Sequence, residues 1–129
     1  MEKYLVDTTV LIDHLRNKPE ATCFLEKEGL LISAVTAAEL LQGARNKKEQ
    51  KEIEALVKQF DISWISSSVS QLAIKLLSKH FLKFNLLFLD ALIAATALEK
   101  KVVLVTDNIK HFKFISKLKV ISPKEIETN

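Results

Sequence analysis

Short strand-like runs alternating with longer helical segments constrain this chain most. The runs are residues 3–7 (KYLVD), 30–32 (LLI), 62–65 (ISWI), 102–105 (VVLV) and 118–121 (LKVI). Each is too short for a stable helix. The run at 102–105 is uninterrupted and rich in β-branched residues, typical of a strand covered on both faces. The intervening segments are long enough for helices, and that alternation builds a mostly parallel sheet. The expectation is an α/β fold, a three-layer sandwich around a central, mostly parallel sheet of four to five short strands. One domain spans residues 1–129.

Helix boundaries follow from capping and periodicity. Thr8 or Thr9 can cap a first helix in which Val10, Leu11 and Leu15 share a buried side. Pro19 suits the first turn of a second helix over residues 19–28, which Gly29 ends in the left-handed conformation. A third covers residues 33–45. Thr36 and Glu39 have capping-box spacing there, or Ser33 caps and Thr36 lies in the first turn. Residues 47–59 read as a charged amphipathic helix with Ile53, Leu56, Val57 and Phe60 as apolar positions. Ser66, Ser67 or Ser68 caps the next helix, whose register runs out near residues 83–85. Residues 88–99 form a helix whose alanines allow close packing. A loop with a short helical turn follows the fourth run, Pro123 starts a last turn, and the polar chain end is expected to fray.

Composition removes several function classes. Hydrophobic residues are 48% and charged residues 27%, which suits a soluble globular domain. No apolar stretch approaches the ~20 residues that span a bilayer. The first residues lack a signal-peptide pattern. Cys23 is the only cysteine, which excludes an internal disulfide and points to a reducing, cytoplasmic setting. Two glycines, Gly29 and Gly43, cannot make a glycine-rich phosphate loop. The net charge of +3 divides into −3 over residues 1–39, +4 over 40–89 and +2 over 90–129. The middle and end could therefore face a polyanion.

Four acids fall at strand exits or early helical turns, where ligands gather in parallel sheets. Asp7 ends the first run, Glu39 follows the second, Asp90 opens the alanine-rich helix and Asp107 follows the fourth run. Asp90 lies in LLFLDALIAATAL and Glu39 in ISAVTAAELL, both otherwise uncharged up to the acid. Several carboxylates brought together in such apolar surroundings need a cation. Oxygen-only ligands favour Mg²⁺, with Mn²⁺ as the alternative, and such an ion activates water against a phosphodiester. The acids are expected to converge within one ion's reach as a metal-dependent phosphodiesterase site.

Four segments together resemble the PIN-domain family, specifically the VapC-type toxin ribonucleases. They are LVDTTVLIDHLR, ISAVTAAELLQGA, DALIAATAL and LVTDNIKHF, in family order along essentially the whole chain. The resemblance implies a parallel sheet between helical layers, RNA as substrate and an antitoxin partner. It maps Asp7, Glu39 and Asp90 onto the family's first three acids and Thr106 onto its hydroxyl. The fourth acidic position falls on Asn108, with Asp107 one residue earlier, and Thr9 replaces the asparagine of the opening motif. A Mg²⁺-dependent endoribonuclease and homodimer is the leading reading. A non-catalytic RNA- or partner-binding module of the same fold is the alternative. A phosphoacceptor receiver fits poorly, because Asp61 precedes its strand instead of following it.

The remaining residues carry weaker signals. His14, His80 and His111 have no metal-binding spacing, although His111 falls near the acidic end. Cys23 reads as a buried structural thiol, Trp64 as core or interface, and the phenylalanines at 81, 84, 88, 112 and 114 as core or a partner groove. Arg16 and Arg45 could meet RNA phosphates or a nearby carboxylate.

Overall fold

The computed structural model describes residues 2–127, with side chains to Glu125. Five strands form one sheet: β1 (Tyr4–Val6), β2 (Leu30–Ser33), β3 (Asp61–Ser63), β4 (Val103–Val105) and β5 (Val120–Ile121). The order is β3-β2-β1-β4-β5 and every pairing is parallel. The expected α/β sandwich is therefore observed. The connection direction reverses beside β1, so a crevice opens between the carboxyl ends of β1 and β4.

Helices α1 (Thr8–Leu15), α2 (Pro19–Phe24), α3 (Ala34–Gln42) and α4 (Lys47–Val57) alternate with the early strands. Helices α5 (Ser67–Phe84) and α6 (Phe88–Lys100) precede β4, and α7 (Pro123–Glu127) ends the described chain. The two-residue period of a strand sends successive side chains to opposite layers. Leu5 and Leu104 join the core under α5 and α6, whereas Val6 and Val105 join the core under α1, α2 and α4. Ala91, Ala94 and Ala95 are fully buried, and their small side chains let α6 lie close to the sheet and to α5.

Several boundaries differ from expectation. Asp7, not Thr8 or Thr9, occupies the N-cap of α1, and its side chain makes no capping bond. Helix α2 ends at Phe24, and turns connect it to Gly29, whose φ of 76° is left-handed as expected. Ser33 caps α3 by accepting the Val35 N–H at 3.0 Å, so Thr36 lies inside the helix. Ser66 caps α5, and Asn85 closes it in the left-handed conformation where the register was expected to fail. β3 stops at Ser63, leaving Trp64 71% exposed and so outside the core. Cys23 is also exposed, on the outer side of α2 next to the buried Phe24. Fraying at the chain end concerns residues outside those described.

Of the phenylalanines, Phe112 is core, whereas Phe81, Phe84 and Phe88 are each about half exposed. Phe84 stacks on Phe114 with ring centroids 4.2 Å apart. Leu86 is buried, but Leu87 and Leu89 are exposed beside Phe88. No helix among the described residues is long and apolar enough to cross a membrane.

Candidate functional site

β1 delivers Asp7 to the crevice at the switch in strand order. Its backbone N–H donates to the Val105 carbonyl at 2.8 Å, tying the exits of β1 and β4 together. The residue is 4% exposed. Oδ2 accepts hydrogen bonds from Thr106 Oγ1 at 2.7 Å and Thr9 Oγ1 at 3.0 Å. Those hydroxyls also accept the Asn108 N–H at 3.0 Å and the Asp107 N–H at 3.2 Å. The loop after β4 is thus fastened to the first turn of α1 through the two threonines. Both side-chain bonds fall on Oδ2, leaving Oδ1 outside this network.

Glu39 is half-buried on α3, where Thr8 Oγ1 donates to its Oε1 at 2.7 Å. Thr8 also lies 3.0 Å from Oγ1 of the fully buried Thr36. Asp90 sits in the first turn of α6, with His111 Nδ1 3.8 Å from its Oδ2. Burial raises the Asp90 pKa, and the nearby Asp7 and Glu39 carboxylates raise it further against the opposing influence of His111. Three acids from β1, α3 and α6 therefore face one another electrostatically at one end of the sheet.

Asp107 and Asn108 lie on the rim. The Asp107 carboxyl is partly desolvated although the residue as a whole is exposed, and it lies beside Asp13. Together these push its pKa up to about 6. The same contact, with Lys18 at 3.4 Å, holds Asp13 below the usual carboxylate range. The Asn108 side chain makes no hydrogen bond among the described residues. Asp107 thus turns toward α1 instead of closing the acidic set around Asp7.

The donor chemistry suits a hard divalent cation. Asp7, Glu39 and Asp90 offer oxygen only, and no lysine or arginine among the described residues lies within 4.0 Å of them. The sequence predicts that they converge within one ion's reach, and Asp7 and Glu39 both act electrostatically on Asp90. Among the described residues, no three His, Cys, Asp or Glu side chains are gathered closely enough to hold an ion. One or two carboxylates with waters making up the octahedron is the ordinary Mg²⁺ arrangement.

Two cavities flank the acids. One of about 540 Å³ is lined by Glu39, Arg16 and Arg45, with Ile12 and Leu40 beneath. The other, of about 530 Å³, holds Asp13, Asp107, Asn108 and Lys18, and Arg16 lines both. Arg45 is engaged with Glu49 through Nε and Nη2, the shortest contact being 2.7 Å. The histidines do not work as a pair: His14 bonds Thr22 at 2.8 Å, and His80 is buried against Phe84 and Phe114.

The family model described as the PIN domain matches residues 4–117. The chain belongs to the PIN-domain family. Ribonuclease VapC10 of Mycobacterium tuberculosis is 36% identical over 120 residues, covering 89% of this chain and 90% of that protein. Ribonuclease VapC1 of Methanocaldococcus jannaschii is 32% identical over 113 residues, covering 86% and 79%. A toxin–antitoxin complex from Klebsiella pneumoniae contains a chain of the same fold. It has a TM-score of 0.80 and 28% identity, covering 94% of this PIN domain and 98% of that chain. VapBC2 from Rickettsia felis, bound to a DNA fragment from its promoter, gives 0.80 and 25%, covering 92% and 97%.

Sequence reasoning missed two parts of this PIN domain's site. Thr8 and Thr36 read as cap candidates, yet their hydroxyls lie in the Glu39 network. The signal was two hydroxyl residues directly after an acid at a strand exit, where one can face each neighbouring acid. Asp13 gave no signal, because its pairing with Asp107 arises only when α1 and the loop after β4 meet.

Proposed function

We propose that this PIN domain is a Mg²⁺-dependent endoribonuclease and the toxin of a toxin–antitoxin pair, acting in the cytoplasm. The observation that carries the reading is the buried Asp7, fixed by two threonine hydroxyls and grouped electrostatically with Glu39 and Asp90, with no lysine or arginine within 4.0 Å among the described residues. The relatives named as ribonucleases support the RNA substrate. The toxin–antitoxin complexes of the same fold support a cognate antitoxin, which would cover the acidic end.

Asp7, Glu39 and Asp90 would hold the ion, with Thr106 and Thr9 orienting Asp7. Mg²⁺, or Mn²⁺ in its place, supplies Lewis acidity to an attacking water and offsets charge on the phosphate oxygens. The threonines fix one Asp7 oxygen and leave the other free to turn toward the crevice. Thr8 does the same for Glu39. Asn108 would fill the fourth position through its amide oxygen, with Asp107 beside Asp13 on the rim. Arg16 and Lys18 lie where an RNA backbone leaving the crevice would run.

Water attack leaves 5′-phosphate and 3′-hydroxyl ends. Attack by the RNA 2′-hydroxyl needs an acid–base pair, and among the described residues His111 is the one histidine within 4.0 Å of a carboxylate. Mapping RNA ends after induced expression tests the reading. New 5′-phosphate ends at discrete sites support it, and 2′,3′-cyclic phosphate ends or no cleavage would overturn it.

The exposed Phe81, Leu82, Leu87, Phe88 and Leu89 support a homodimer formed through the end of α5 and the start of α6. Leu82 is 96% exposed, and burying so apolar a patch against a second copy is the common two-fold solution.

A further inference from the structure

The amino end of the sheet, opposite the acidic site, contains a cavity of about 610 Å³. Leu76 of α5, Leu98 of α6 and Ile115 give it an apolar floor. Lys79, Lys101, Lys117 and Lys119 also line it, and Glu2 is the single acid in the lining among the described residues. None of the four lysines makes an ion pair within 4.0 Å among the described residues. Two of them stand in left-handed backbone, Lys101 with φ 56° and Lys117 with φ 69°. Such positions ordinarily go to glycine or asparagine. Lysine at both places its charge at this rim despite the strain.

His80 is the second observation. It is 6% exposed, lines the same cavity and makes no hydrogen bond among the described residues. Its recorded ring contacts are with Phe84 and Phe114. Among the described residues no buried side-chain nitrogen or oxygen lacks a partner, so the His80 ring nitrogens keep some exposure, and the residue lines the cavity. Burial and the adjacent Lys79 depress its pKa, which favours a neutral imidazole with one directional donor and one acceptor.

We propose that this cavity binds a small organic anion: a phosphate or carboxylate head met by the lysines, on an apolar or planar body seated on the floor beside His80. A phosphate alone would leave the floor unfilled. A polyanion held by charge alone needs an open basic face, not a recess with an apolar base. The site lies at the other end of the strands from Asp7 and stands apart from the nuclease reading.

The test is titration of the isotope-labelled full chain by NMR with three probes: uridine monophosphate, decanoate and inorganic phosphate. One of the two organic anions is expected to shift the His80 imidazole and the Lys101 and Lys117 amides saturably. Which one does so identifies a nucleotide or an acyl source. Inorganic phosphate is expected to bind at least about tenfold more weakly. The Lys101→Asn/Lys117→Asn variant keeps residues that tolerate the left-handed backbone and is expected to keep its melting temperature. It should lose about tenfold or more in affinity, as expected for two charge-assisted contacts. RNA cleavage should be unchanged. The proposal is overturned by no saturable shift at His80 with either organic anion, or by equal binding of phosphate alone. Undiminished affinity in the variant overturns it as well.

Discussion

Replacing Thr106 with valine isolates the hydroxyl that holds Asp7. Thr106 is fully buried, donates to Asp7 Oδ2 at 2.7 Å and accepts the Asn108 N–H at 3.0 Å. Valine keeps the branched shape and removes both bonds. A hydrogen bond to a charged acceptor contributes about 1.5–3 kcal/mol. The Asn108 N–H is only partly buried and can recover water, so the total loss should be about 2 kcal/mol. Unfolding entropy scales with length, and for 129 residues each kcal/mol moves Tm by about 4 °C. Tm should therefore fall by about 8 °C. Thr9 still donates to Asp7, so the carboxylate stays in place but is less tightly oriented. Cleavage should drop about tenfold, mainly in kcat, because misorientation acts on the reacting geometry more than on RNA contacts. Thr106→Ser restores the donor and should recover most of both losses. Circular-dichroism melts without metal, read beside Mg²⁺-dependent cleavage, make the comparison. A valine variant whose Tm lies within about 2 °C of the parent and whose rate is unchanged would refute the orienting role.

Asp107 gives a pH signature. Its folded pKa of about 6 exceeds the ordinary carboxylate value, so the protonated form stabilises the fold and that contribution disappears as pH rises from about 4 through about 6. Asp13 moves the opposite way and solvent screens the half-exposed pair, leaving a net effect of about 1 kcal/mol or less. Asp107→Asn should flatten this slope and raise Tm at neutral pH, and melts across that range with an unchanged slope would contradict the pairing. In cleavage, Asn108→Ala should be more damaging than Asp107→Asn, and the reverse order would place Asp107 in the fourth position. Sedimentation at tens of micromolar should show a dimer that Leu82→Glu dissociates, and a monomeric parent protein would remove the dimer.

The sheet was legible because its signals are local. Each strand announces itself as a short apolar run, and the parallel arrangement follows from the helices between runs. Boundaries were harder to read because capping is a competition among neighbouring hydroxyls. Ser33 wins over Thr36, and Thr8 and Thr9 are recruited by acids instead of capping α1. Exposure of Cys23 and Trp64 could not be read from residue type, since it depends on where α2 and β3 end. The three acids lie at the expected end of the sheet, but each is held there by a different element. Sequence spacing carries no information about their mutual distances. The Asp13–Asp107 contact and the lysine-rimmed cavity both join segments far apart in the chain, so neither leaves a local pattern.

Cleavage of a structured RNA by the purified protein and its Asp90→Asn variant, with Mg²⁺ and with excess chelator, tests the central claim most directly. Asparagine keeps the size of Asp90 but removes a charge whose pKa is raised by burial and by Asp7 and Glu39. The melting temperature of the metal-free variant should therefore equal or exceed that of the parent, because the repulsion is relieved. The account predicts cleavage by the parent only with Mg²⁺, and a loss of about a hundredfold or more in the folded variant. Full activity in Asp90→Asn, or cleavage by the parent that persists in chelator, would contradict it.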